Sequence, residues 1–222
     1  MFRAALASVK LSLVATVGVL LAGCGVPSIH PLCGPADLTT EPGILGVWSD
    51  PQNSDKTWTW KFFQKPGANT YTLIYIESGV PAKLEAYLTR IGTYIYMDTF
   101  LKTEDNEAEP DKKEKPGPFD NILLLSHLVG GHLFWRIEVQ GDILRIAWLN
   151  QERLKSALEA KTATVAHEWQ EPGEGEDRVL ILTAPTEDLR QFVLKSADEV
   201  FDVQPTVLHR RTPKGASPAV KP

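Results

Sequence analysis

An unbroken alternation of polar and aromatic residues, TWTWKF at 57–62, constrains the fold of this chain more than any other feature. Successive side chains of an extended strand point to opposite faces, so Trp58, Trp60 and Phe62 share one face. The alternation therefore predicts a half-buried β-strand with an aromatic face.

Similar short runs follow along the chain, separated by turn-forming residues such as KPGAN at 65–69. The clearest hairpin turns at Gln140-Gly141-Asp142, after a strand that alternates Leu133 and Trp135 against His132 and Phe134. Helices are expected after the capping residues Asn150 and Thr186. Strands are predicted at 44–49, 57–62, 70–76, 82–91, 93–100, 132–139, 143–149, 164–169, 179–183 and 206–210.

The fold class is therefore mainly β with two short helices, arranged as an antiparallel meander. A sheet of many short strands must hide its edges, and closure into a barrel does this completely. An open sheet or sandwich with packed helices is the alternative. We expect a single β-rich domain at 44–211, with a charged, exposed loop at 102–118 and a disordered tail at 212–222.

The first residues have the layout of a secretory signal. Arg3 and Lys10 precede the apolar run LSLVATVGVLL, and small residues follow it. This run is much shorter than the about 20 apolar residues of a membrane-spanning helix. Residues 1–23 are therefore predicted to be a signal peptide, and residues 24–43, rich in Pro and Gly, a flexible tether.

The sequence Leu21-Ala22-Gly23-Cys24 resembles the lipobox of bacterial lipoproteins. The resemblance implies that the Cys24 thiol carries a diacylglycerol, that the signal is cut before Cys24, and that the new amine is acylated. Two or three acyl chains hold a protein stably in a membrane. Gly25, where an Asp would favour the inner membrane, favours the periplasmic face of the outer membrane. An ordinary secretory signal with a chance cysteine is the alternative.

Charge and cysteine content narrow the choice of partners. Without the signal, which carries Arg3 and Lys10, the formal net charge of −5 becomes −7. Nucleic acid is not expected as a partner, because that affinity comes largely from cations that neutralise phosphates. Cys33 remains as a lone thiol, which either pairs between chains or is a solitary residue in the tether.

A second resemblance concerns the barrel. Gly46-Val47-Trp48, at the first predicted strand of the domain, is similar to the Gly-x-Trp motif of lipocalins. The resemblance implies an eight-stranded calycin-type barrel in which the Trp plugs the closed end. An arginine near the last strand packs on that Trp in lipocalins, and Arg210 or Arg211 is expected in this role.

Aromatic residues in the predicted strands are the candidate binding residues. A barrel interior lined by aromatic groups suits an apolar or amphipathic ligand. The alternative is that these side chains only fill the core. The predicted ligand-binding residues are Trp58, Trp60, Tyr71, Tyr94, Phe134 and Trp135.

Motifs for catalysis or for a cofactor are not found. The sequence has no Gly-x-Ser-x-Gly elbow and no phosphate-binding glycine loop. His167-Glu168 lacks the second histidine of a zinc protease helix. His127 and His132, with His167 as a third ligand, form a less favoured metal hypothesis. We expect no enzyme, no cofactor and no metal.

Three functions compete. The first is a membrane-anchored envelope lipoprotein that binds a small apolar or amphipathic ligand. The second is a non-catalytic interaction or assembly module with a solid core and an envelope protein partner. The third is an enzyme, which would need a cleft where histidine and carboxylate groups converge with perturbed pKa values.

Overall fold

The structure is a computed structural model that describes residues 25–51, 58–77, 79–101, 131–170 and 178–211. These residues form eleven strands and two α-helices. The strands are β1 (Pro27–Ser28), β2 (Gly46–Ser49), β3 (Trp58–Phe63), β4 (Thr70–Glu77), β5 (Val80–Ile91), β6 (Tyr94–Leu101), β7 (His132–Gln140), β8 (Ile143–Trp148), β9 (His167–Gln170), β10 (Val179–Leu182) and β11 (Thr206–Arg210). The helices are α1 (Gln151–Glu159) and α2 (Thr186–Val200).

Strands β2 to β8 and β11 close into an eight-stranded antiparallel barrel. Each strand from β2 to β7 pairs with the next one in the chain, and β11 closes the ring by pairing with both β8 and β2. The short strands β1, β10 and β9 extend the sheet outside the ring, next to β7. The predicted fold class is therefore confirmed: mainly β, antiparallel and closed, with two helices.

The period-two pattern sets which side chains fill the barrel. On β7, Leu133 and Trp135 point inward, whereas Phe134 packs in a second core outside the barrel wall. The turn after β7 uses Gly141 at φ +58°, and the turn after β5 uses Gly92 at φ +60°. Both backbones lie in the left-handed region that favours glycine, so these residues end the strands where the sequence predicts.

The second core lies between the outer face of the barrel and the two helices. The Asn150 side chain caps α1 by accepting a hydrogen bond from Arg153 N at 3.0 Å, as predicted. Pro185 is the N-cap of α2, so the predicted cap Thr186 is the first helical residue. The Thr186 hydroxyl instead donates to Pro31 O at 2.8 Å and ties α2 to the N-terminal segment.

The N-terminal segment differs from the predicted flexible tether, because residues 25–43 belong to the folded body. Val26 and Leu32 are fully buried in the second core. Ile29 N donates to Leu182 O at 3.0 Å, and Thr39 N donates to Leu88 O at 2.8 Å. Pro and Gly do make turns here. Burial of the apolar residues between them, however, stabilises the packed segment relative to a solvated linker.

The barrel has two different ends. At the end that we name the Arg210 end, β2 begins and β11 finishes, and tight turns join β3 to β4, β5 to β6 and β7 to β8. At the opposite end, β3 and β7 begin, and β8 finishes. We name this the Gly25 end, because a Cβ placed on Gly25 would lie 3.2 Å from Trp148 Cε3 and 3.7 Å from Leu133 Cδ2.

Several predicted features lie outside the described residues: the signal at 1–23, Cys24, the charged loop at 102–118 and the tail at 212–222. In the described part of the chain, neither helix has the length and apolar character that crossing a membrane requires.

Candidate functional site

The structure brings together three of the six predicted ligand-binding residues. Trp60, Tyr71 and Trp135 lie in the barrel interior, each at most 3% exposed. Trp58 stands at the rim of the Gly25 end, 38% exposed, where its indole nitrogen donates to Glu77 at 3.1 Å.

The other two predicted residues are elsewhere. Phe134 is buried outside the barrel wall, in the second core. Tyr94 lies on the outer surface near the Arg210 end, where its hydroxyl donates to Asp198 at 3.0 Å and the Arg136 guanidinium stands over its ring.

Aromatic rings fill the middle of the barrel. The Trp60 ring meets the edges of Tyr75 and Trp135, with both centroid separations at 5.2 Å. The ring centroids of Trp135 and Trp148 are 3.8 Å apart. This packing matches the alternative reading of the sequence, in which these aromatic residues form a core.

One polar atom inside the barrel stands out. Trp135 Nε1 donates to Thr99 at 3.0 Å, and Trp48 Nε1 donates to Ile44 O at 2.7 Å. In the described structure, Trp60 Nε1 is buried and has no hydrogen-bond partner. Leaving such a donor unsatisfied costs about 1–3 kcal/mol. The interior therefore offers one hydrogen-bond donor to a water molecule or to the polar group of a ligand.

At the Arg210 end, an arginine stacks on Trp48, which is the contact that the Gly-x-Trp resemblance implies. The Arg210 guanidinium lies 4.1 Å from the centroid of Trp48, which is fully buried. Arg210 also donates to Gly43 O at 2.7 Å, to Leu45 O and to Asp142 at 3.0 Å. Of the two arginines expected in this role, Arg210 makes the contact.

Replacing Arg210 by lysine is expected to lower the free energy of unfolding by about 2 kcal/mol. Lysine keeps the charge but loses the planar fork that bonds several acceptors at once, and hydrogen bonds from charged groups contribute about 1.5–3 kcal/mol. Urea denaturation would measure the loss. Arg211→Lys is the matched control, because Arg211 bonds the Ser49 hydroxyl and does not stack on Trp48. An equal loss in both variants would contradict the specific contribution of the Arg210 contacts.

A pocket that sequence reasoning missed lies on the outer wall, under the N-terminal segment. We name it the outer pocket; its volume is about 300 Å³. Its lining includes Cys33, Pro35, Leu38, Tyr87, Phe100 and His132. The pocket forms because residues 31–38 cross the outer faces of β5, β6 and β7, far away in the sequence.

His132, which lines the outer pocket, is paired with a buried aspartate behind it. His132 Nδ1 lies 2.8 Å from Asp98 Oδ1, and Leu32 N donates to Asp98 Oδ2 at 2.8 Å. Asp98 is completely buried, and burial raises the pKa of its carboxyl group against the opposing effect of these bonds. The Phe100 ring packs on the imidazole with the centroids 4.9 Å apart.

The pair leaves His132 Nε2 as the ring nitrogen that can bond a ligand. Cys33 is 7% exposed, and burial, aided by the charges of Asp98 and Asp37, raises the pKa of its thiol to about 12. The thiol is therefore neutral near pH 7 and is not an activated nucleophile. The outer pocket combines apolar walls with an imidazole, which suits binding of a small amphipathic molecule.

The described residues do not form the arrangement that the histidine metal hypothesis requires. Within the described ranges, no three His, Cys, Asp or Glu side chains come close enough to hold a metal ion. His132 is bonded to Asp98, and His167 Nδ1 lies 2.9 Å from Val165 O. His127 lies outside the described residues.

No protein-family model, curated protein or solved structure matches this chain. The closed eight-stranded antiparallel barrel is compatible with a lipocalin-like fold.

Proposed function

We propose that this chain is a lipoprotein of the bacterial cell envelope whose barrel carries a binding site for a small apolar or amphipathic molecule. Acyl chains on Cys24 hold it in the membrane, with the periplasmic face of the outer membrane favoured over the inner membrane. The protein is not an enzyme in this proposal, and it needs no cofactor.

The outer pocket is the observation that carries the binding proposal. A volume of about 300 Å³ is at the lower end of the range for small-molecule sites. Burying the Asp98 carboxyl group has a cost, and the bonds to Leu32 and His132 offset it while they fix the imidazole at the pocket. A ligand that fits this pocket has an apolar body and one group that bonds to His132.

Binding of the fluorescent probe N-phenylnaphthylamine tests the site. Leu38→Trp should fill the outer pocket and weaken probe binding at least tenfold. Ile74→Trp, on the outer face of β4 and not among the residues that line the pocket, is the matched control and should leave binding unchanged. If Trp60→Phe weakens probe binding and Leu38→Trp does not, the binding site lies in the barrel interior and not in the outer pocket. The absence of probe binding to the wild type would contradict the proposal.

The anchor has its own test. Cys24→Ser should abolish labelling by radioactive fatty acid and release the protein from the membrane fraction. If the variant stays with the membranes, or if native protein still begins at Met1 without acyl chains, the lipoprotein proposal is wrong.

The second candidate is an interaction or assembly module with a solid core. The packing of Trp60, Trp135 and Tyr75 favours it, since aromatic rings already occupy the middle of the barrel. Leu194 on α2 is 53% exposed and would belong to such a contact surface. In this case, crosslinking in whole cells yields one envelope protein, and Leu194→Glu abolishes the crosslink while probe binding is absent throughout.

A further inference from the structure

A second cavity opens at the Arg210 end, and it is larger than the outer pocket. Its volume is about 490 Å³, which is within the range of small-molecule sites. We name it the rim cavity; its lining includes Arg90, Thr93, Tyr94, Arg136, Val139 and Arg145. All of its lining residues belong to the described chain, and Tyr94 is one of the six residues that the sequence singles out for ligand binding.

The rim cavity crosses the barrel wall at a place where one strand is longer than its neighbour. The pairing of β6 with β7 starts at Ile95 and Ile137, whereas β7 continues to Gln140 with β8 as its partner. The inward side chains of Ile137 and Val139 line the same cavity as the outward side chain of Arg136. The cavity therefore has an apolar inner side, which adjoins the barrel core, and a charged outer side.

Arginines outnumber carboxylates around the rim cavity, although the chain as a whole is acidic. The charged residues of its lining are Arg90, Arg136, Arg145, Glu41 and Glu138. Three positive and two negative charges give the lining a formal charge of +1, whereas the whole chain carries −5. The carboxylate of Glu41 already accepts a backbone N–H of the next turn at 3.0 Å. This local surplus of cations favours an anionic ligand.

Arg90 is the cation that such a ligand finds unoccupied. Within the described residues, its guanidinium makes no hydrogen bond and no ion pair. Arg136 is bonded to Asp198 at 2.9 Å, and Arg145 lies 3.6 Å from Glu138. Both carboxylate partners are largely exposed, and ion pairs of exposed side chains contribute little to stability. These two arginines can therefore exchange their partners for a bound anion at low cost.

We propose that the rim cavity binds an amphipathic anion, whose acid group bonds Arg90 and whose apolar part packs on Ile137 and Val139. The planar guanidinium matches the geometry of a carboxylate and of a phosphate, so both acid groups fit. Burial of the apolar part against the inner side adds to the affinity. This site is separate from the outer pocket, and it rests neither on that pocket nor on the acylation of Cys24.

Three probes that share one apolar part test the charge preference. The acids 4-phenylbutyrate and 4-phenylbutyl phosphate, and the neutral alcohol 4-phenylbutan-1-ol, are titrated into the full chain in a calorimeter. We expect at least one acid to bind about tenfold more tightly than the alcohol, because hydrogen bonds to charged groups are the strong ones. The tighter acid identifies the acid group of the ligand. Equal affinities for acids and alcohol, or no binding of either acid, would overturn the proposal.

Two substitutions and a matched control test the site itself. Arg90→Gln should lower the affinity for the acid about tenfold and leave the affinity for the alcohol unchanged. Lys65→Gln is the control, because Lys65 is an exposed cation at the same end of the barrel and does not line the rim cavity. Thr93→Trp, at an exposed lining position, should fill the cavity and weaken binding of all three probes. If Arg90→Gln and Lys65→Gln have equal effects, only the overall charge matters and the site is refuted.

The outer pocket is the other place where these probes can bind, and Leu38→Trp separates the two sites. Loss of acid binding in Arg90→Gln, with Leu38→Trp unchanged, supports the rim cavity whatever the result with N-phenylnaphthylamine. Loss of acid binding in Leu38→Trp, with Arg90→Gln unchanged, places the probe in the outer pocket. That result would refute the rim site and support the function proposed for the outer pocket.

Discussion

Replacing Asp98 by alanine is expected to lower the free energy of unfolding by about 3–5 kcal/mol. This single change removes both the acceptor of the buried Leu32 N–H and the partner of His132. It should also release the N-terminal segment, so protease cleavage between residues 29 and 38 should become faster than in the wild type. Urea denaturation and limited proteolysis measure the two effects. A loss below about 1 kcal/mol would show that this pair is not what fixes the segment.

Asp98→Asn separates the contacts from the charge. Asparagine can still accept from Leu32 N and donate to the ring nitrogen, so the loss of unfolding free energy should be less than half of that for alanine.

Burial raises the pKa of Asp98, so the folded chain holds this proton more tightly than the unfolded chain does. The stabilisation from the protonated form is fully present below the unfolded pKa of about 4, and it is lost as the pH rises through the folded pKa.

The sign of this effect can be tested against Asp98→Asn, which has no carboxyl group to titrate. Between about pH 4 and pH 6, below the ordinary pKa of histidine, the stability of the wild type relative to Asp98→Asn should fall as the pH rises. A difference that grows with pH would mean that hydrogen bonding outweighs burial at this carboxyl group.

Trp135→Ala is the second large effect, with an expected loss of about 3–5 kcal/mol. Trp135 is fully buried between Trp60 and Trp148, so truncation leaves a cavity in the barrel and removes the hydrogen bond from the indole to the Thr99 hydroxyl. Trp58→Ala is the control, since this partly exposed residue at the rim should cost less than about 1 kcal/mol. Equal stability of Trp135→Ala and wild type would indicate that the interior is not a packed core.

The barrel was predictable because its signals are local. Alternation within β7 placed Trp135 and Phe134 on opposite faces of the strand, and this is confirmed, although the pattern did not specify that the Trp135 face is the inner one. Gly92 and Gly141 ended strands where left-handed backbone is needed. The contact of an arginine with Trp48 was implied by the resemblance to lipocalins, which left Arg210 and Arg211 as alternatives, and the structure shows that Arg210 makes it.

The outer pocket and the packed N-terminal segment could not be predicted, because both depend on contacts between distant parts of the chain. Asp98 occupies an outward position on β6, and such a carboxylate is ordinarily solvated. Only the covering segment with Leu32 buries it. Pro31, Gly34 and Pro35 give a local pattern that is typical of a linker, and nothing nearby in the sequence shows that Thr186 holds Pro31. Whether interior aromatic rings leave room for a ligand depends on the sum of many volumes, which alternation does not specify.

In the proposed lipoprotein, the burial of Gly25 and Val26 sets an order of events during secretion. These residues pack against β7 and β10, which lie more than a hundred positions later in the chain. The N-terminal segment can therefore reach its folded position only after those strands have left the export machinery. A peptidase needs extended backbone on both sides of the bond that it cuts. In the proposed lipoprotein, acyl transfer and cleavage must therefore finish while the barrel is still incomplete. A variant that folds too early would hide its own maturation site and keep its signal.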